Sequence, residues 1–138
     1  FEDFEVLVIG DGCTDNSEEV VMGMGDPRVR WFNLSYNTGQ QAWPNNYALR
    51  HAQGEIIAYL DHDDLWLPHH LSASTKAIDD GADLAYGISE TIYPDERPPQ
   101  ANIPIEADFA GQFWLTPGAV IHRKSVTDEI GGMPIIEP

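Results

Sequence analysis

Two uninterrupted apolar runs, Val6-Leu7-Val8-Ile9 and Ile56-Ile57-Ala58-Tyr59-Leu60, dominate the hydrophobic pattern of the chain. Neither alternates with polar residues. Each therefore predicts a strand covered on both faces, as in parallel sheets. Residues 28–34 (RVRWFNL), rich in β-branched and aromatic side chains, predict a further strand, and 84–88 and 118–122 predict shorter ones. Helical signals fall between them. Asp15 with Glu18 resembles a capping box ahead of Val20, Val21 and Met24, with Gly25 as the stop. Pro44 suits a first helical turn, Trp43, Tyr47 and Ala48 share a face, and Gly54 follows as the terminator. Pro68 opens a third helix with Leu71, Thr75 and Ile78 on one stripe, closed by Gly81. The alternation of strand and helix predicts an α/β fold, three-layered α/β/α with a mainly parallel sheet. From Tyr93 to Pro104 four prolines interrupt the pattern and predict a long loop, of a length often used as a binding segment and as often a plain connection.

Composition changes this picture in one respect. The 138 residues, 42% hydrophobic and 22% charged, suit one compact domain, and no apolar run approaches the roughly 20 residues that span a bilayer. The start of the chain carries acids and no base, unlike a signal peptide. A single cysteine, Cys13, excludes an internal disulfide framework and fits a reducing, cytoplasmic setting. The charge balance is the unusual quantity. Twenty-three acids against seven bases give a formal net charge of −16, which argues against nucleic acid or an anionic membrane as partner. No Lys or Arg lies between Arg50 and Lys76. A phosphate-bearing ligand in that region would need a bound divalent cation to neutralise it.

The acids gather where chemistry would be expected. In open α/β sheets, ligands bind outside the carboxyl ends of the strands. Ile9 runs into Gly10-Asp11-Gly12-Cys13-Thr14-Asp15, and Leu60 runs into Asp61-His62-Asp63-Asp64. If the strands are parallel, Asp11, Asp61 and Asp63 project to one rim. Three carboxylates within four residues repel one another unless solvated or bound to a cation. Mg2+ or Mn2+ prefers such oxygen ligands, together with substrate phosphates. A solvated strand-to-helix turn, with Asp64 at the positive end of the next helix, accounts for the same residues. Gly10-Asp11-Gly12 lacks the third glycine of a dinucleotide fingerprint, because Asp15 stands in its place. Asp11 is better suited to accept hydrogen bonds from a base or ribose, and Asp15 to cap a helix.

Three segments in order carry a family resemblance. Residues 6–15 (VLVIGDGCTD) resemble the V-I-V-V-D-D-G-S-T-D segment of family 2 glycosyltransferases. Asn37-Thr38-Gly39 with Ala42 and Asn46 resembles that family's N-x-G-x-x-x-A-x-N stretch, with one residue of spacing difference. Residues 54–64 (GEIIAYLDHDD) followed by Pro68 resemble its G-E-Y-I-A-F-L-D-A-D-D-x-x-x-P signature. The resemblance implies a GT-A fold, a nucleotide-diphosphate-sugar donor (UDP- or GDP-linked), and metal-dependent, inverting transfer of a hexosyl-type sugar to an acceptor hydroxyl on a glycan, lipid or protein. It implies that Asp11 contacts the base, that Asp61, first of the DxD metal motif, lies near ribose or sugar and metal, and that Asp63 ligates the metal. Asp64 is a further member of the motif. Gly10 departs from the family's first aspartate and Cys13 from its serine.

Inverting transfer needs a general base. The family places it beyond a G-G-F-D-E-like turn, which residues 130–134 (IGGMP) resemble loosely, and its first strand would precede Phe1. Residues 1–138 are therefore expected to form a single nucleotide-sugar-binding domain fragment lacking that strand and the base-bearing segment. Any membrane association would come from segments outside it. Glu137 is not assigned as the base. The alternatives are a nucleotide-sugar-binding module without turnover, and a nucleotidyltransferase, which would want a basic, glycine-rich phosphate loop that this chain lacks. His122 is expected at a strand end near metal or phosphate, and Trp114 beside an acceptor pocket or in the core. His69 and His70 lack zinc-like spacing, Cys13 lacks a partner base, and Trp43 and Trp66 are expected in or near the core.

Overall fold

A computed structural model describes residues 1–95, 97–102 and 116–136. The chain divides into two compact units, Phe1–Glu55 with Lys124–Pro138, and Ile56–Arg123.

In the first unit, strand β1 (Val6–Gly10) pairs in parallel with β2 (Val29–Asn33), with Val6 opposite Val29 and Gly10 opposite Asn33. Helix α1 (Ser17–Met22) joins them and packs on β2, and α2 (Ala42–His51) packs on β1. This is the expected βαβ unit, but β1 is not covered on both faces: Val6 is exposed and residues 7–9 are only partly buried. The N-terminus of α1 differs in detail. Asn16 is the cap residue, and the Asp15 carboxylate accepts the Ser17 N–H at 3.0 Å, an Asx-type turn just ahead of the helix. Helix α2 stops before Gly54: Ala52 is already extended, and the next two amides are captured from outside. Glu5 Oε1 accepts the N–H groups of Gln53 at 2.6 Å and Gly54 at 3.2 Å, while its Oε2 holds Arg30 of β2 at 2.5 Å. One carboxylate thus ties the entry to β1, the middle of β2 and the exit from α2. Burial works to raise the Glu5 pKa, but the two N–H groups and the guanidinium outweigh it and hold it below the ordinary value.

The last helix of this unit, α4 (Lys124–Ile130), leads into the glycine turn at residues 131–132. Asn46 of α2, only 8% exposed, meets that turn: its Nδ2 donates to Met133 O at 2.8 Å and its Oδ1 accepts Met133 N–H at 2.7 Å. A Cβ on Gly132 would lie 2.6 Å from Asn46 Oδ1, so the close approach requires glycine there. Gln40 repeats the arrangement at Ile136, donating at 2.8 Å and accepting at 3.0 Å.

In the second unit, β3 (Ile56–Ala58), β7 (Val120–Arg123) and β4 (Leu84–Tyr86) form one sheet in that order, with β7 central and antiparallel to both neighbours. Helix α3 (His70–Asp79) packs on β4 and β7. Ile78 and Ile121 are completely buried, and Ile57, Tyr59 and Ala119 complete the core. The fold is α/β as expected, but "mainly parallel" requires correction. Among the described residues only β1 and β2 form a parallel ladder, since β7 returns between β3 and β4 in the opposite sense. An apolar run reads the same in either direction, so the pattern at 118–122 located a strand without its sense. The region expected to be a long loop from Tyr93 contains a strand, β6 (Gln100–Asn102), which pairs as a hairpin with β5 (Ser89–Thr91) just before it, and their connection holds the prolines at 94, 98 and 99. No described helix is long and apolar enough to cross a membrane.

Candidate functional site

The end of β1 is built around the Asp11 carboxylate. It accepts Thr38 N–H at 3.0 Å, Thr38 Oγ1–H at 2.8 Å and Gly39 N–H at 3.3 Å. The second resembled segment is therefore fastened to the first by one side chain. A carboxylate offers about four acceptor sites, so roughly one remains for a ligand. Gly12 makes the approach possible. Its φ is +71°, and a Cβ there would meet Asn37 N and Tyr36 C at 2.3 Å. Beneath the loop, Asn33 at the end of β2 clamps Cys13: Oδ1 accepts Cys13 N–H at 2.9 Å and Nδ2 donates to Cys13 O at 2.7 Å. Cys13 is held as a turn residue. At Gly10 a Cβ would lie 2.7 Å from both Asn33 Oδ1 and the Trp31 ring. A side chain at that position is incompatible with Trp31 as it packs here, which accounts for the departure at Gly10.

The acidic turn belongs to the second unit. Tyr59 turns inward, Leu60 is half-exposed, and Asp64 N–H closes a tight turn on Asp61 O at 3.2 Å. Asp63 stands at its corner with 75% of its side chain exposed, and His62 Nδ1 is 3.8 Å from its carboxylate, a loose contact. Asp64 lies back against the 3₁₀ turn Pro117–Ala119, where a Cβ on Gly118 would sit 2.7 Å from its Oδ2. Burial and the charges of Asp61 and Asp63 push the Asp64 pKa up, against the opposing influence of His62. Trp66 fixes the same 3₁₀ turn by donating Nε1–H to Gly118 O at 2.8 Å and stacks on His70 at 5.0 Å. Burial, aided by the charge of His69, lowers the His70 pKa.

This turn presents Asp63 outward and crowds three negative charges, an arrangement that fits a hard divalent cation. Among the described residues no three His, Cys, Asp or Glu side chains form a ready cage. Mg2+ bound by one or two carboxylates takes its other ligands from water and phosphate, so a cage is not what the chemistry asks for.

His122 stands away from any such role. It lies inside β7 rather than at its end, is 4% exposed, and has both ring nitrogens engaged. Its Nδ1–H donates to Arg123 O at 2.7 Å, so Nε2 accepts the Tyr59 hydroxyl at 2.9 Å. Burial pushes the Tyr59 pKa up to about 12, which keeps that hydroxyl a donor. The expected place near metal or phosphate is corrected to a core position. Trp114 and Glu137 lie outside the described residues. Asp11 falls in one unit and Asp61, Asp63 and Asp64 in the other. The pattern did not single out Asn33, Gln40 or Trp66 for the positions they hold; paired amides and an indole N–H leave no periodic signature.

The profile of the family described as Glycosyl transferase family 2 matches residues 1–134. A curated relative from Escherichia coli, UDP-Glc:alpha-D-GlcNAc-diphosphoundecaprenol beta-1,3-glucosyltransferase WfgD, is 31% identical over 93 residues, covering 67% of this chain and 36% of that protein. The glycosyltransferase alr2836 of Nostoc is 34% identical over an alignment of 143 residues, covering 93% of this chain and 44% of that protein. The chain thus spans less than half the length of these relatives. Among solved structures, S. aureus TarS 1-349 in complex with UDP-GlcNAc superposes with a TM-score of 0.77 at 23% identity, covering 96% of this chain and 40% of that one. That likeness speaks to the α/β fold.

Proposed function

The chain belongs to glycosyl transferase family 2, and from that premise we propose that it holds the donor half of a metal-dependent, inverting transfer from a UDP-sugar to an acceptor hydroxyl. The observation that carries the reading is the outward-facing Asp63 on a turn where Asp61 and Asp64 crowd further negative charge, with no Lys or Arg between Arg50 and Lys76. A relative named for UDP-Glc and a fold neighbour bound to UDP-GlcNAc favour uridine over guanosine in the donor.

Each residue has a distinct part. Asp11, with roughly one acceptor site left, takes a hydrogen bond from an N–H of the base. Asp61 would orient the ribose or the sugar and would hold the metal together with Asp63, the principal ligand. Asp64 adds negative potential from its place close against Gly118. Mn2+ or Mg2+, when bound, offsets the charge that accumulates on the diphosphate as it departs. The acceptor oxygen bonds to C1 of the donor sugar, the bond from C1 to the diphosphate oxygen breaks, and a general base outside the described residues takes the hydroxyl proton.

The test is thermal melting with UDP, with and without Mn2+. UDP should raise the Tm, most of the rise should require the metal, and Asp63→Ala should abolish the metal-dependent part. No rise with UDP or GDP, metal present, would sink the reading.

A further inference from the structure

The acidic turn hangs between two inward-facing rings. Tyr59 leads into it, 8% exposed and bonded to His122 at 2.9 Å. From His62 to His69 there is no helix or strand, and every residue is exposed except Trp66. Leu65 and Leu67 stand 93% and 68% exposed, so neither flanking leucine gives the turn a hold on the body of the second unit.

The indole is held in two ways. Its ring stacks on His70, the first residue of α3, at 5.0 Å and 20°. Its Nε1–H donates to Gly118 O at 2.8 Å. That carbonyl belongs to the 3₁₀ turn Pro117–Ala119, whose Gly118 and Ala119 are buried and which runs directly into the central strand β7. Ala119 O in turn accepts Gly87 N–H, just past β4, at 2.8 Å. Trp66 therefore fastens the exit of the acidic turn to the framework of the sheet. Asp64 lies against the same Gly118, so ring and carboxylate meet one piece of backbone.

The turn itself shows what the anchor works against. Asp61, Asp63 and Asp64 stand within four residues, and burial together with the charges of its two neighbours pushes the Asp64 pKa up. An unfastened turn would relieve the repulsion by spreading its carboxylates. A cation would then have to gather them again, and the cost of ordering them would come out of its affinity.

We propose that Trp66 is a positioning residue for the divalent cation: anchored to Gly118 and His70, it keeps Asp61, Asp63 and Asp64 gathered before the ion arrives. It acts through the carboxylates and is not itself a ligand. The role of the cation rests on the donor reading above; the anchoring rests on the contacts of Trp66 alone.

Trp66→Phe keeps a ring to stack on His70 and removes the N–H donor, so it tests the anchor with little loss of bulk. Mn2+ is titrated in the presence of excess UDP, with the free ion followed by electron paramagnetic resonance. The variant should bind Mn2+ about fivefold more weakly, the factor that one lost hydrogen bond corresponds to. Leu65→Ala, at the exposed neighbouring position, should bind it as the wild type does. Without metal, hydrogen exchange at the Asp64 amide should quicken in Trp66→Phe while the amides of Ile78 and Ile121 keep their protection. Equal Mn2+ affinity in Trp66→Phe and wild type overturns the proposal, as does an equal loss in Leu65→Ala. Faster exchange throughout the second unit also overturns it, since Trp66 would then serve the core alone. Wild-type chain that binds no Mn2+ beside UDP would remove the donor reading itself, and the proposal with it; a wild type that binds and a Trp66→Phe that binds equally well would leave the donor reading standing.

Discussion

Replacing Gly12 with alanine would put a methyl group where the backbone of Tyr36 and Asn37 already lies. Two costs follow from the geometry. An L-residue at φ +71° costs about 1–2 kcal/mol relative to glycine. The new Cβ would also stand 2.3 Å from Tyr36 C and Asn37 N, against a normal contact of about 3.5–4 Å between carbon atoms, so the 36–39 loop must withdraw by more than about 1 Å. That movement breaks the Asp11 carboxylate's bonds to the Thr38 and Gly39 N–H groups, each worth about 1.5–3 kcal/mol to a charged acceptor, partly recovered by water. The sum is a loss of about 3–6 kcal/mol, a large share of a small domain's stability. Gly39→Ala is the internal control. Its φ is +68°, nearly the same, yet nothing lies within 4 Å of its added Cβ, so only the conformational cost of about 1–2 kcal/mol applies. Urea denaturation of both variants at one temperature, followed by circular dichroism, measures the difference, with the m-value checked for two-state behaviour. If Gly12→Ala falls within about 1 kcal/mol of Gly39→Ala, the loop does not press on Gly12 as described, and Asp11 does not anchor it.

Three further outcomes are expected. Because the folded-state pKa of Asp64 is raised above its ordinary 3.8, folding disfavours its ionised form, and the penalty grows as pH rises through that raised value. Asp64→Asn should therefore melt higher than wild type at neutral pH without metal, with the gap closing below about pH 3.8; a gap independent of pH refutes the crowding. Glu5 is the opposite case: its pKa is depressed below 4.5, so its contribution is complete above that pH and is lost as pH falls through the depressed value. Glu5→Gln should cost about 1–2 kcal/mol at pH 7 in denaturant titrations and progressively less under acid; an equal cost at both ends would remove the charge from the explanation. Asn46→Ala strands the N–H and C=O of Met133 and should cost about 2–4 kcal/mol, with faster hydrogen exchange at the Met133 amide, whereas unchanged exchange there would contradict the clamp.

Much of this was legible from residue order. The run Val6–Ile9 announced a strand, Pro44 falls in the first turn of α2, Pro68 lies two residues ahead of α3, and Gly81 followed the helix it was expected to close. What escaped has physical causes. The sense of β7 depends on which end of the sheet the chain enters after a long excursion, and no local pattern encodes that. Helix α2 stops early because Glu5, nearly fifty residues away, takes the next two amides. At the candidate site, Asp11 was visible by position, but its partner Thr38 was visible only as part of a motif. His122 shows the limit most clearly. Its place at the end of an apolar run suggested a rim, and its burial with both ring nitrogens engaged puts it in the core.

The central place of β7 also sets the order in which the second unit can assemble. Strands β3 and β4 lie on either side of it and have no ladder with each other, so among the described residues neither has a sheet partner other than residues 120–123. On a ribosome, more than sixty residues of this unit would emerge before the strand that unites them. Pairings this distant in sequence slow folding and leave strand edges exposed in the interim. A chain stopped short of Val120 would therefore present two unjoined edges, and a break in the stretch between β4 and β7 would separate the sheet from its own middle.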